Sequence, residues 1–100
     1  MRRGTTPDII MTLEGIDFID LSDIYITFKQ DKNFITKTMQ DVTYDEESRQ
    51  INIHLTQEDT LLFHNGYVFI QLRAKTGSGN AVATDIVRLN VDEILKEGVI

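Results

Sequence analysis

The sequence predicts an all-β, antiparallel fold around one hydrophobic core. Three observations predict it. Apolar and polar residues alternate strictly over three long runs, and short polar turns separate the runs. The runs recur at roughly 8–15 residues, a spacing that suits a sandwich or barrel rather than βαβ units. A period of two means half-buried strands, because successive Cβ atoms point to opposite faces of a sheet.

In chain order, Ile9, Met11 and Leu13 give a first strand behind Pro7. In DIYITFKQ, Ile24, Ile26 and Phe28 face one way, and Tyr25, Thr27 and Lys29 the other. Gln30-Asp31-Lys32-Asn33 is a polar hairpin turn into a short strand, Phe34 to Met39, whose faces are mixed. Asp45-Glu46-Glu47-Ser48 is a second turn, leading to RQINIHLT, where Ile51, Ile53 and Leu55 alternate with polar residues. In GYVFIQLRAK, Val68, Ile70, Leu72 and Ala74 form the apolar set. Gly77-Ser78-Gly79-Asn80 tolerates positive φ and closes a hairpin onto a last long strand, Ala81 to Val91, with Val87, Leu89 and Val91 on one face. Early acids at Asp92 and Glu93, Lys96 and then Gly98 signal a short C-terminal helix.

Leu55-Thr56-Gln57-Glu58-Asp59-Thr60 resembles the turn before strand F of immunoglobulin variable domains. Phe63 stands where the tyrosine of that corner is expected, and the chain has no cysteine. A local reading suffices. Thr56 caps a helical turn near 57–63, and Asp59 reaches back to the cap amide in a capping box. Leu61, Leu62 and Phe63 plug the end of the core, and Asn65-Gly66 ends the turn. The expected architecture is an immunoglobulin-like sandwich of about seven strands. It forms a single domain over 1–100, with its flexible segments at 1–8 and 92–100.

Composition narrows function. The net charge of −6 argues against a phosphate backbone as partner, and Arg2-Arg3 is the one adjacent basic pair. The opening MRRGTTPDIIMTLEG has no apolar stretch of secretory length, and no run approaches the roughly 20 apolar residues of a membrane span. Without cysteine there are no disulfides and no thiolate zinc sites.

No catalytic constellation emerges, and no cofactor or metal is expected. His54 is outward on a strand and His64 lies in a turn. Asp41, Asp45, Glu46 and Glu47 lack the spacing of a calcium loop and read as a solvated hairpin tip. Thr76-Gly77-Ser78-Gly79-Asn80 precedes a strand, so it is a hairpin and not a phosphate loop. A sandwich of this length leaves little volume for a substrate pocket, which favours a non-enzyme.

The feature with functional weight is a strand face. Opposite the core set of 68–74 lie Tyr67, Phe69, Gln71 and Arg73, and Tyr25 joins them if the 23–30 strand shares the sheet. Aromatics with arginine are enriched at protein interfaces. The competing reading is that Phe69 is covered by the chain's own terminus or a loop.

RRGTTP, IYITFKQ and LTQEDTLLF…GYVFIQLRAKTGSGNAVATDIVRLNVDEILKEGVI together resemble small proteins of tail and baseplate modules in phages and prophages of Gram-positive bacteria. They also resemble the N-terminal domain of baseplate upper proteins. The resemblance implies a structural or assembly component of a virion. Such a part docks onto other tail proteins or onto its own copies, and is assembled in the host bacterial cytoplasm. It brings no defined functional residues. An alternative is a carbohydrate- or cell-surface-binding module using Tyr25, Tyr67 and Phe69, although the chain has no tryptophan.

Overall fold

Two antiparallel sheets pack face to face. The structure, a computed structural model, describes residues 1–15 and 17–100. One sheet has three strands, β1 (Asp8–Thr12), β5 (Gln50–His54) and β4 (Val42–Asp45), in the order β1-β5-β4. In the other, β3 (Asn33–Thr38), β2 (Leu21–Gln30) and β6 (Gly66–Thr76) lie side by side. Two short strands, β7 (Ala81–Ala83) and β8 (Val87–Val91), share the remaining edge of β6. The all-β antiparallel sandwich expected from the alternation is the fold observed.

The alternating apolar sets meet between the sheets. Ile24, Ile26 and Phe28 of β2, Val68, Ile70 and Leu72 of β6, and Ile51 and Ile53 of β5 are all buried. Phe63 closes one end of the core and is fully buried. Burying a side chain of this size contributes about 1.5–3 kcal/mol.

Two irregularities keep apolar residues on the inner face. Leu21 and Ile24 are three apart, so a regular strand would turn them to opposite sides. The β2–β6 register shifts between Leu21 and Asp23, and the Ser22 hydroxyl donates to the Lys75 carbonyl at 3.1 Å. Val82 and Val87, five apart, pose the same problem. The last strand is therefore not one long run as the sequence suggested. Arg73 pairs with Ala83 and Ile70 with Val87, so three residues, Thr84 to Ile86, lie opposite Gln71 and Leu72. Thr84 bridges the break: its N–H donates to the Leu72 carbonyl, and its hydroxyl accepts from the Leu72 N–H. This is a β-bulge with one extra residue.

The corner between β5 and β6 is a one-turn helix, α1 (Gln57–Leu61). Its cap is the one anticipated. The Asp59 N–H donates to Thr56 Oγ1 at 3.2 Å, and the Thr56 N–H to Asp59 Oδ2 at 2.9 Å. Gly66 ends the corner at φ +135°. Gln30 of β2 pins it from the side, accepting from the His64 N–H and donating to the His64 carbonyl.

The expected C-terminal helix does not form. Residues 92–100 make bends, and their groups are engaged elsewhere. The Arg3 N–H donates to the Asp92 carbonyl and the Asp92 N–H to the Met1 carbonyl, which adds residues 1–3 alongside the end of β8. Glu93 and Glu97 turn to Arg3, and Ile100 exchanges two hydrogen bonds with the Gln57 side chain. A helix of one or two turns gains too few internal bonds to offset its nucleation cost, so these contacts win.

Candidate docking face

The five-stranded sheet turns its outer face to solvent. β2 pairs β6, so the condition for including Tyr25 is met, and Tyr25 lies directly opposite Arg73. Tyr67, Phe69, Gln71 and Arg73 alternate along the outer side of β6. Tyr25, Tyr67 and Phe69 are each about half exposed, at 50%, 51% and 47%. Phe69 is therefore not covered by a terminus or loop. Gln71 is half-buried because its amide donates to the Thr84 carbonyl at 3.0 Å, across the bulge.

Neighbouring strands add residues that the strand-by-strand reading missed. Phe34 of β3 pairs with Lys29, Lys29 pairs with Phe69, and Phe69 pairs with Arg88 of β8. One row across the sheet thus reads Phe34, Lys29, Phe69, Arg88. Phe34 is 60% exposed. The Arg88 guanidinium sits 4.6 Å from the centre of the Tyr67 ring, in cation–π range. The alternation in Val87-Arg88-Leu89 pointed Arg88 outward. What sequence lacked was the register that sets it beside Phe69.

The five residues do not form one compact cluster. Phe69 lies in the Phe34 row, and Tyr67 lies one row beyond it, opposite Asn90, at one end of the face. Tyr25 and Arg73 lie two rows along, across the polar Thr27–Gln71 pair. There the face dips into a depression of about 200 Å³ lined by Asp23, Tyr25, Arg73, Lys75 and Ala81.

The charge of this face opposes that of the whole chain. Lys29, Arg73, Lys75 and Arg88 point outward, and Asp23 is the one acid among them in the described strands. Net charge hides this patch because alternate positions on three strands assemble it. The Arg2-Arg3 pair does not form such a patch. Arg3 is 3% exposed and works inside the fold: Nε donates to the Phe63 carbonyl, Nη2 to the Leu61 carbonyl at 3.0 Å, and Nη1 meets Glu93 and Glu97. It satisfies carbonyls that the end of α1 leaves unpaired.

Other sites offer less chemistry. Among the described residues, no three His, Asp or Glu side chains converge as metal ligands. Asp41 caps a 3₁₀ turn (Met39–Asp41) through Thr38, and Asp45 accepts from the Glu47 N–H. His54 pairs with Asp8 at 2.9 Å on the exposed side of the three-stranded sheet. An open cleft of about 620 Å³ lies between the Phe18–Asp20 turn and the β4–β5 hairpin, where Phe18 stacks on Tyr44 and Arg49 pairs with Asp17. No helix among the described residues is long and apolar enough to cross a membrane. No protein-family model, curated protein or solved structure matches the chain.

Proposed function

We propose that the chain is a non-enzymatic structural and interaction protein of a phage or prophage virion, a tail or baseplate component or assembly factor. It works by docking onto neighbouring virion proteins and is assembled in the host bacterial cytoplasm. The virion part of this reading rests on the resemblance of its strand and turn sequences to tail-module proteins. The docking part rests on one observation: Phe34, Tyr67 and Phe69 stand uncovered beside Lys29 and Arg88. Partly exposed aromatics next to arginine are the residues that anchor protein interfaces.

Particle incorporation tests the reading. Purified particles from a lysogen encoding the chain should contain it by mass spectrometry. A Phe69→Ser copy should fold as a soluble monomer and be missing from the particles. Particles free of the wild-type chain overturn the component role, and particles of normal yield made without the chain overturn the assembly role as well. Incorporation that is indifferent to Phe69→Ser overturns the docking face. Specific glycan binding that Phe69→Ser or Tyr25→Ser abolishes would replace docking with the carbohydrate reading.

A further inference from the structure

The docking reading leaves the occupant of the face unstated, and the structure narrows it. The outer face of the five-stranded sheet carries Lys29, Arg73, Lys75 and Arg88 against Asp23. Two copies of this face cannot pack on each other without opposing like charges, which works against the contact. A symmetric face-to-face dimer is thereby disfavoured.

The opposite side of the sandwich has the complementary character. The outer face of β1, β5 and β4 presents Asp8 and Asp45, and the β4–β5 turn adds Glu46 and Glu47. The nearest basic groups are His54, held by Asp8, and Arg49, engaged by Asp17. This face also dips beside one exposed apolar residue. A depression of about 220 Å³ is lined by Ile10, Thr43, Asp45, Gln50 and Asn52, and Ile10 is 58% exposed.

We infer that the occupant is a second copy of this chain, stacked back to front: the aromatic, cationic face of one copy on the acidic three-stranded face of the next. Phe34 or Phe69 meets the Ile10 depression, and Lys29, Arg73 and Arg88 meet Asp45, Glu46 and Glu47. The two faces lie on opposite sides of the molecule, so the contact is heterologous. It propagates as a stack, or closes into a ring where the rotation per step permits. The smaller face limits its strength. Three strands about 4.8 Å apart, four or five residues long at about 3.3 Å each, offer on the order of 250 Å² of sheet. Stable complexes use about 800 Å² per partner. The contact is therefore weak, salt-sensitive and visible at high concentration. The inference rests on the docking reading and specifies its partner.

Sedimentation velocity tests it on the intact chain from 20 μM to 1 mM, in about 10 mM and about 300 mM NaCl, where the screening length falls from about 30 Å to under 8 Å. The mass should rise with concentration at low salt and return to the 11.5 kDa monomer at high salt. Arg73→Gln/Arg88→Gln should remain monomeric, and so should Glu46→Gln/Glu47→Gln. Circular dichroism should show both variants folded, since all four positions are exposed. A mixture of the two variants should associate again, limited to dimers, because each keeps one competent face. A monomer at 1 mM in low salt overturns the inference. So does association that survives both neutralisations, or a single-stranded dT15 oligonucleotide whose binding is lost with Arg73→Gln/Arg88→Gln. A monomeric chain that still enters particles in a Phe69-dependent way leaves docking intact and rejects only the second copy as partner.

Discussion

Arg3 and Arg88 show two uses of one side chain. Arg3 is buried, forks between two backbone carbonyls and balances its charge on Glu93 and Glu97. Arg88 is exposed and rests on the face of a tyrosine ring. Near Arg3, the α1 corner is saturated: Thr60, Gln30 and Arg3 are buried and all hydrogen-bonded, and no buried side-chain polar atom among the described residues lacks a partner. Around Arg88, aromatic surface and cations are left over after folding. The first region uses polar chemistry to specify the fold; the second leaves it uncommitted to the fold. Substitutions should separate the two.

The largest effect is expected at Arg3. Arg3→Ala strands the Leu61 and Phe63 carbonyls and should cost about 3 kcal/mol in chemical denaturation, because losing charge-assisted bonds at a buried site is expensive. Arg3→Lys should rescue little, since an ammonium cannot fork between the carbonyls and carboxylates. A loss below about 1 kcal/mol would mean that water replaces the guanidinium freely.

Asp59 comes next and adds a pH signature. Burial pushes its carboxyl up, but the 2.7 Å ion pair with Lys37 and the Thr56 amide outweigh burial and hold it below its usual value. Glu93 is held down by Arg3, and Asp41 by the Thr38 amide. Carboxyls lowered in the fold contribute stability that is present above the ordinary carboxylate range and lost as pH falls through it. The melting temperature should therefore drop below about pH 4. Asp59→Asn should be less stable than wild type at pH 7, with the gap narrowing toward pH 2.5. A constant gap would show that the carboxylate's charge is not what matters.

Thr56→Ala removes one reciprocal capping bond and should cost about 1 kcal/mol, roughly 4–8 °C in melting temperature for a domain of this size. The smallest effect belongs to the face. Phe34→Ser/Phe69→Ser should change stability by about 0.5 kcal/mol or less, as surface substitutions do. A loss above 2 kcal/mol would assign those rings to the core of the fold.

The strands and the α1 cap were legible because their signals are local. Alternation in 24–28, 51–55 and 68–74 reads directly as inner and outer faces, and Thr56 with Asp59 lies within one turn. What escaped depends on partners distant in sequence. Phe34 sits in a strand without clear alternation, so only its pairing with Lys29 shows its place. The C-terminal acids read as a helix start because nothing nearby reveals that Arg3, ninety residues earlier, claims Glu93. The cationic patch was invisible to net charge and appears only once three strands are set in register.

The extra residue at Thr84–Ile86 has a further consequence. A strand has a reading frame of two, and the apolar residues of 82 and 87 are written in opposite frames. The bulge is a frameshift that brings them back into phase. Removing Asp85 would leave the two valines four apart and in the same frame, so β7 and β8 would run on as one regular strand; straightening the strand with all three residues present would instead send Arg88 inward and Leu89 out. The odd spacing of the two valines, more than the identity of the residues between them, is what calls for the bulge, and the bulge keeps Leu89 in and Arg88 out.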